Sequence, residues 1–268
     1  MARVKQFDVI TGTIGKVSFY TRKGSTEVFA RAKGGASKEK IKRNPEFANV
    51  RKNNKEFGGC SKISKQIRLS FYPIRNVADY NLAPALNSVV KNIQKMDEES
   101  AWGERSIRLS KYRSILTGFD FNRTNRFNSI IRIPLQWEIT RESQQAEITI
   151  PAFACSYGLY LSWKYSTFRL VATLGIVSDF MLNPANQTYE PTHGDFSRPQ
   201  KHAETSWFST QASIPEQKLS LTLADPAGAF NDDDTLVLAI AIEFGTQDAF
   251  GNQIAQKGAG AGMVLGTK

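Results

Sequence analysis

The run TLVLAIAIEF, residues 235–244, is apolar on both of its alternating faces. Side chains of a strand alternate with period two, so a strand that is apolar on each side belongs in the middle of a sheet. Other short β-rich runs surround it: SIRLSKYRSILTGFDFN, SIIRIPLQWEIT, AEITIPAF, YLSWKYSTFRLVATLGIV, SWFSTQASI and KLSLTL. Pro, Gly, Asn and Asp punctuate them, and strand–turn spacing of this kind predicts an antiparallel sandwich. The tail KGAGAGMVLGTK reads either as a last strand, with Met263, Val264 and Leu265 as its apolar centre, or as a flexible end. Residues 183–204 read as a long polar excursion between strands, with Arg198 and Lys201 as exposed cleavage points.

The grammar differs before residue 106. Val17 and Phe19 alternate with Ser18 and Tyr20, and Val28, Ala30 and Ala32 alternate with Phe29, Arg31 and Lys33. Two half-buried strands joined at Arg22-Lys23-Gly24-Ser25 predict a β-hairpin. Gly12 and Gly15 suit a turn or bulge before it. The GTIGK run lacks the spacing of a phosphate loop and the helix that follows one. Asn44-Pro45-Glu46 reads as a helix start, with Asn as the cap. Phe47, Val50, Asn54 and Phe57 fall near one face, and Gly58-Gly59 reads as a left-handed stop. Ile63, Ile67 and Phe71 then mark a second helix ended by Pro73. Leu86, Val89, Val90, Ile93 and Met96 mark a third over about Ala85–Met96.

The expected fold class is therefore α+β, mainly β: an N-terminal β-hairpin and short helices, then an antiparallel Ig-like or jelly-roll-like β-sandwich. The expected domains are a basic hairpin-plus-helix module over 1–105 and a sandwich over 106–268. The helices either pack on the sandwich edge or form a free domain.

Charge follows the same division. The net charge is +10. Residues 1–115 hold 24 Lys and Arg against 10 Asp and Glu, and residues 116–268 hold 11 against 15. Such asymmetry points the first part at an anionic partner. The stretch from Lys33 to Arg68 has 11 Lys and Arg and three carboxylates. Within it Lys38, Lys40, Lys42, Arg43, Arg51, Lys52, Lys55, Lys62, Lys65 and Arg68 are the candidate nucleic-acid-binding residues. Contacts to phosphates would be salt-sensitive and blind to base sequence. The aromatic residues of this stretch fall on apolar stripes, which leaves few rings there for bases. No RNA-binding sheet signature, zinc finger or basic zipper occurs, and the helix–Gly-Gly–helix step is only loosely like a helix-turn-helix.

Catalytic chemistry is scarce. The two histidines, His193 and His202, sit with Asp195 in the polar excursion, without metalloprotease or paired-cysteine spacing. Asn231, Asp232, Asp233 and Asp234 lack the spaced ligands and distal Glu of a calcium loop and read as a solvated turn. Cys60 follows two glycines beside basic residues, which would lower its pKa, but no His is near in sequence. Both Cys60 and Cys155 read as small buried hydrophobes in a reducing compartment. No catalytic residue, cofactor or metal is expected. MARVKQFDVITG has no apolar leader core, and no run is long enough to span a membrane. A cytoplasmic location is expected, or a virion if the chain is phage-derived.

One resemblance accompanies this reading. The run GTIGKVSFYTRKGSTEVFARAKGGASKEKI, followed by NPEFANVRKNNKEFGG, resembles the start of a family of uncharacterised proteins common in Bacteroidetes genomes. In that family a G-x-[apolar]-G-x-[apolar]-x-[FY] hairpin leads to an Arg-x-Lys-Gly-Gly step. A Pro-x-Phe…Arg-x-Asn…Glu-Phe-Gly helix follows, then a β-rich C-terminal part. The match covers about residues 10–70. It implies no activity, only that the basic module is a unit, and it gives Cys60 no role.

The expected function is that of a non-enzymatic structural or assembly protein that self-associates, its basic N-terminal half facing an anionic partner. A β-sandwich with a basic N-terminal region is coat-like by analogy of fold. The alternative is a sequence-nonspecific nucleic-acid-binding protein, and the second alternative is an enzyme of unknown class. No membrane partner is expected.

Overall fold

A computed structural model describes residues 3–5, 9–22, 25–193, 195–223 and 230–268. The chain opens with β1 (Arg3–Lys5), β2 (Val9–Ile14), β3 (Val17–Thr21) and β4 (Val28–Ala32). Helices α1 (Lys38–Arg43), α2 (Ala48–Ser70) and α3 (Leu82–Lys95) follow. Then come β5 (Gln136–Thr140), β6 (Gln145–Ile150), β7 (Phe153–Ala154), β8 (Thr167–Ser178), β9 (Phe180–Asn183), β10 (Thr188–Pro191) and β11 (Gln200–Glu204). The last strands are β12 (Phe208–Ser209), β13 (Ser213–Ile214), β14 (Gln217–Thr222), β15 (Asp234–Gln247) and β16 (Gln253–Thr267). The fold is α+β, mainly β, and its sheets are antiparallel in a sandwich-like arrangement. Two compact units divide at Arg51/Lys52.

In Lys52–Lys268 the central sheet runs β11-β8-β15-β16, and β12 extends the β11 edge of β8. β15 is central, as TLVLAIAIEF requires. Its even-numbered side chains, Leu236, Leu238, Ile240 and Ile242, pack with Leu170, Leu174 and Ile176 of β8 against the sheet β14-β6-β5. Ile148, Ile150, Leu219 and Leu221 meet them there. The odd-numbered side chains, Val237, Ala239 and Ala241, face the helices with Val171 and Val177. Ile63 and Ile67 of α2 and Leu86, Val90 and Ile93 of α3 cover them. The helix-facing residues are the smaller set, so the helices approach closely. At Gly175 a Cβ would lie 2.5 Å from the Cβ of Ser70. The helices thus lie on a face of the central sheet, not at the sandwich edge. Ile107, Leu109, Leu116 and Phe121 share their core, so a compositional boundary at 105/106 passes through this layer.

Several local expectations change. Gly58-Gly59 does not end a helix: α2 is continuous for 23 residues, and neither glycine has positive φ. Gly59 serves packing instead, since a Cβ there would lie 2.6 Å from Cγ of Tyr189. Asn44 makes no side-chain cap bond; it ends α1, whose N-cap is Ser37. Ile63, Ile67 and Phe71 are fully buried, but Val50 and Phe57 are exposed. The run after Ser106 is not a strand, because Leu109–Leu116 is 3-10 helix. Residues 183–204 are not one loop. β9 and β10 form a hairpin, β11 pairs with β8, and Tyr189 is buried. Arg198, expected at the surface, has a side chain 4% exposed and bridges Asp234 at 2.9 Å. The tail is a strand: β16 pairs with β15 and buries Val264 and Leu265. No helix among the described residues is long and apolar enough to cross a membrane.

Candidate polyanion interface

Met1–Arg51 is organised differently. Strands β1 to β4 form an antiparallel meander in sequence order. Lys23 and Gly24 of the expected β3–β4 turn lie outside the described residues. Partners across the ladder share a face. Ile14, Val17 and Ala32 are in register, as are Phe19 with Ala30 and Thr21 with Val28. That face is apolar, yet Ile14 is 55% exposed, and Ile10, Val17 and Val28 are exposed as well. No described residue from 10 to 51 is buried.

The opposite face carries Ser18, Tyr20, Phe29 and Arg31, with Tyr20 opposite Phe29. Their rings stack with centroids 5.8 Å apart. The Arg22 guanidinium sits 4.5 Å from the Phe29 ring centre and that of Arg31 5.5 Å from Tyr20. A pair of rings fringed by guanidinium groups offers both a stacking surface and phosphate donors. The strand alternation that puts Val17 and Phe19 on one face also carried this one. Its meaning depended on register across the hairpin, which brings Tyr20 to Phe29.

Charge concentrates here. Met1–Arg51 holds 12 Lys and Arg against 4 Asp and Glu, a balance of +8; Lys52–Lys268 holds 23 against 21, a balance of +2. Lys38, Lys40, Lys42 and Arg43 lie together on α1, all exposed, and none forms a salt bridge with a described residue. Arg51 is turned inward within its unit and donates to the carbonyls of Ile41 and Asn44, both at 2.8 Å.

The other five candidates share α2 with Arg51, and each is engaged with a neighbour. Lys52 lies 5.4 Å from the Trp102 ring centre. Lys55 donates to Gln187 Oε1 and bridges Glu104 at 3.6 Å. Lys62 donates to the Tyr189 carbonyl at 2.8 Å. Lys65 lies over Phe196, and Arg68 Nε donates to the Ser64 carbonyl. The structure therefore groups four of the ten candidates on α1 and ties the six on α2, Arg51 included, into local contacts.

Beneath α2 the polar chemistry is structural. The fully buried Glu56 accepts from Arg105 Nε and a terminal Arg105 nitrogen, from Lys91 Nζ and from the Gly103 N–H, at 2.7 to 2.9 Å. Burial pushes this carboxyl up, but the Arg105, Lys91 and Gly103 donors outweigh it and hold it at about 2. Every oxygen is thereby matched to fixed cations and N–H groups. Burial pushes the Cys60 thiol up to about 11 despite Lys91, which overrides the expectation that basic neighbours would activate it. Cys155 is also buried and free.

The loop residues come apart in the same way. His193 Nε2 lies 3.5 Å from Asp233, whereas His202 lies on β11 opposite Thr173. Asp232 is exposed, but Asp234 is buried and accepts from Ser178 Oγ at 2.6 Å, so the Asn231–Asp234 run is only partly solvated. No group of three His, Cys, Asp or Glu among the described residues is arranged to hold a metal ion. No protein-family model, curated protein or solved structure matches the chain.

Proposed function

We propose that this chain is a non-enzymatic binding and assembly protein whose basic N-terminal unit holds nucleic acid by its phosphates without reading sequence. One observation carries the reading. The first 51 residues have a balance of +8, and they display Lys38, Lys40, Lys42 and Arg43, none in a salt bridge with a described residue. The half-buried Tyr20–Phe29 pair with Arg22 and Arg31 favours single strands, whose bases stack on aromatic rings. Membership of the uncharacterised Bacteroidetes family suggested by residues 10–70 belongs to the same proposal and adds no activity to it.

The test is filter retention of a single-stranded homopolymer by the full chain at rising salt. Retention is expected to fall steeply with salt and to be alike for different homopolymers. Replacing Lys38, Lys40, Lys42 and Arg43 by Glu is expected to flatten the salt slope by about 3, at roughly 0.7 per phosphate contact. No retention at low salt removes the reading. A second reading is self-association, favoured by the exposed Ile10, Ile14, Val17 and Val28 on one face of the meander. Light scattering that finds a monomer at all concentrations removes it.

A further inference from the structure

A groove of about 580 Å³ opens where the C-terminal end of α2, the turns after it and β16 meet. Four cations line it: Lys65, Arg68, Arg75 and Lys257. No carboxylate among the described residues does, and none of the four forms a salt bridge with a described residue. Lys257 comes from β16, far along the sequence, so the fold assembles the charge. Like charges around one cleft repel, and the cleft focuses their field on whatever enters.

Two further features define the ligand. Tyr72 lines the groove and is 50% exposed. The Arg75 guanidinium lies 4.0 Å from its ring centre, so Arg75 is held beside an aromatic surface that a planar group can also use. Asn81, the N-cap of the 14-residue α3, also lines the groove. The positive end of that helix dipole therefore adds to the four side chains.

We infer that this groove binds a phosphorylated nucleoside, its phosphate held among Arg68, Arg75 and Lys257 and its base against Tyr72. The volume falls in the range of small-molecule sites, roughly 300–1,000 Å³. The ligand is either a free nucleotide or one nucleotide of a single strand. The inference stands apart from the N-terminal reading, because every residue it uses lies in Lys52–Lys268.

The test is calorimetric titration of the full chain with adenosine monophosphate, adenosine and inorganic phosphate. Adenosine monophosphate is expected to bind more tightly than either fragment. An Arg75→Gln, Lys257→Gln double variant removes exposed charges only and is expected to weaken it at least about tenfold, the scale of charged hydrogen bonds lost. Tyr72→Ala is expected to weaken adenosine monophosphate and leave phosphate unchanged. A short oligo(dA) titrated into the chain with Lys38, Lys40, Lys42 and Arg43 replaced by Glu separates the sources. Tighter binding than the mononucleotide, lost in the double variant, identifies a strand; equal binding identifies a free nucleotide. Absent binding of adenosine monophosphate, or binding indifferent to the double variant, overturns the inference. So does phosphate binding as tight as adenosine monophosphate together with indifference to Tyr72→Ala. Adenosine monophosphate binding lost with the α1 cations and kept in the double variant overturns it while leaving the N-terminal reading in place.

Discussion

In Lys52–Lys268, β8 and β15 are buried on both faces; in Met1–Arg51, the comparable alternation in β3 and β4 buries nothing. The two units share the period-two pattern and differ in what covers it. A sheet face left in water gains none of the apolar burial that holds a sheet together, about 25 cal/mol per Å². The unit without a core is also the one with nearly all the net charge. Stability and charge are thus placed in different parts of the chain, so changes to one part should leave the other's property alone.

The largest effect should come from the buried ion network in the cored unit. Glu56→Ala leaves Arg105 and Lys91 without their carboxylate and is expected to cost about 3–5 kcal/mol, the usual result of breaking a buried pair. Urea unfolding measures it, and a loss below about 1 kcal/mol would mean that the network is relaxed in solution. Because the folded carboxyl sits at about 2, its contribution is full above the ordinary value of 4.5 and is lost as pH falls toward 2.

A smaller effect of opposite sign belongs to Asp179. It is buried and accepts from the Ser110 N–H at 2.9 Å and the Ser110 hydroxyl at 2.5 Å. Burial pushes its carboxyl up from 3.8 to about 6 despite these bonds; Asp233 adds to the rise and Arg113 opposes it. The folded state then holds the proton more tightly than the unfolded chain, so stability falls as pH rises from about 4 to 6. The fall amounts to about 3 kcal/mol at 1.36 kcal/mol per unit. Asp179→Asn should remove it, which unfolding midpoints across that pH window will show.

The smallest effect on stability should come from the most highly charged element. Replacing Lys38, Lys40, Lys42 and Arg43 by Glu alters only exposed side chains and should change unfolding by less than about 0.5 kcal/mol. A larger loss in urea unfolding would show that α1 supports the fold and would weaken the contrast between the units.

The parts of the fold legible in the sequence were those in which one pattern had one cause. TLVLAIAIEF named the central strand because double-sided burial accounts for eight apolar residues in a run of ten, on both alternating faces. Ile63, Ile67 and Phe71 named a buried face because spacing at i, i+4 and i+8 puts them on one side of a helix. Gly58-Gly59 misled because a glycine answers equally to a left-handed cap and to a close neighbour, and Tyr189, 130 positions away from Gly59, is that neighbour. Residues 183–204 looked like a loop because their strands are edge strands with polar outer faces. The ten candidate cations were legible as charge, but not as a site. Separating α1 from α2 depended on Gln187, Tyr189 and Phe196, which meet Lys55, Lys62 and Lys65 only in three dimensions. Lys257 beside Arg75 was invisible for the same reason.

Amide hydrogen exchange of the full chain, with and without a single-stranded oligonucleotide at low salt, tests the separation most directly. In the free protein, β8 and β15 should exchange only by global unfolding, while residues 9–32 exchange at a far lower cost. Added oligonucleotide should slow exchange within residues 9–43. Strong protection of β3 and β4 in the free protein, or no change in 9–43 on adding the oligonucleotide, would contradict the account.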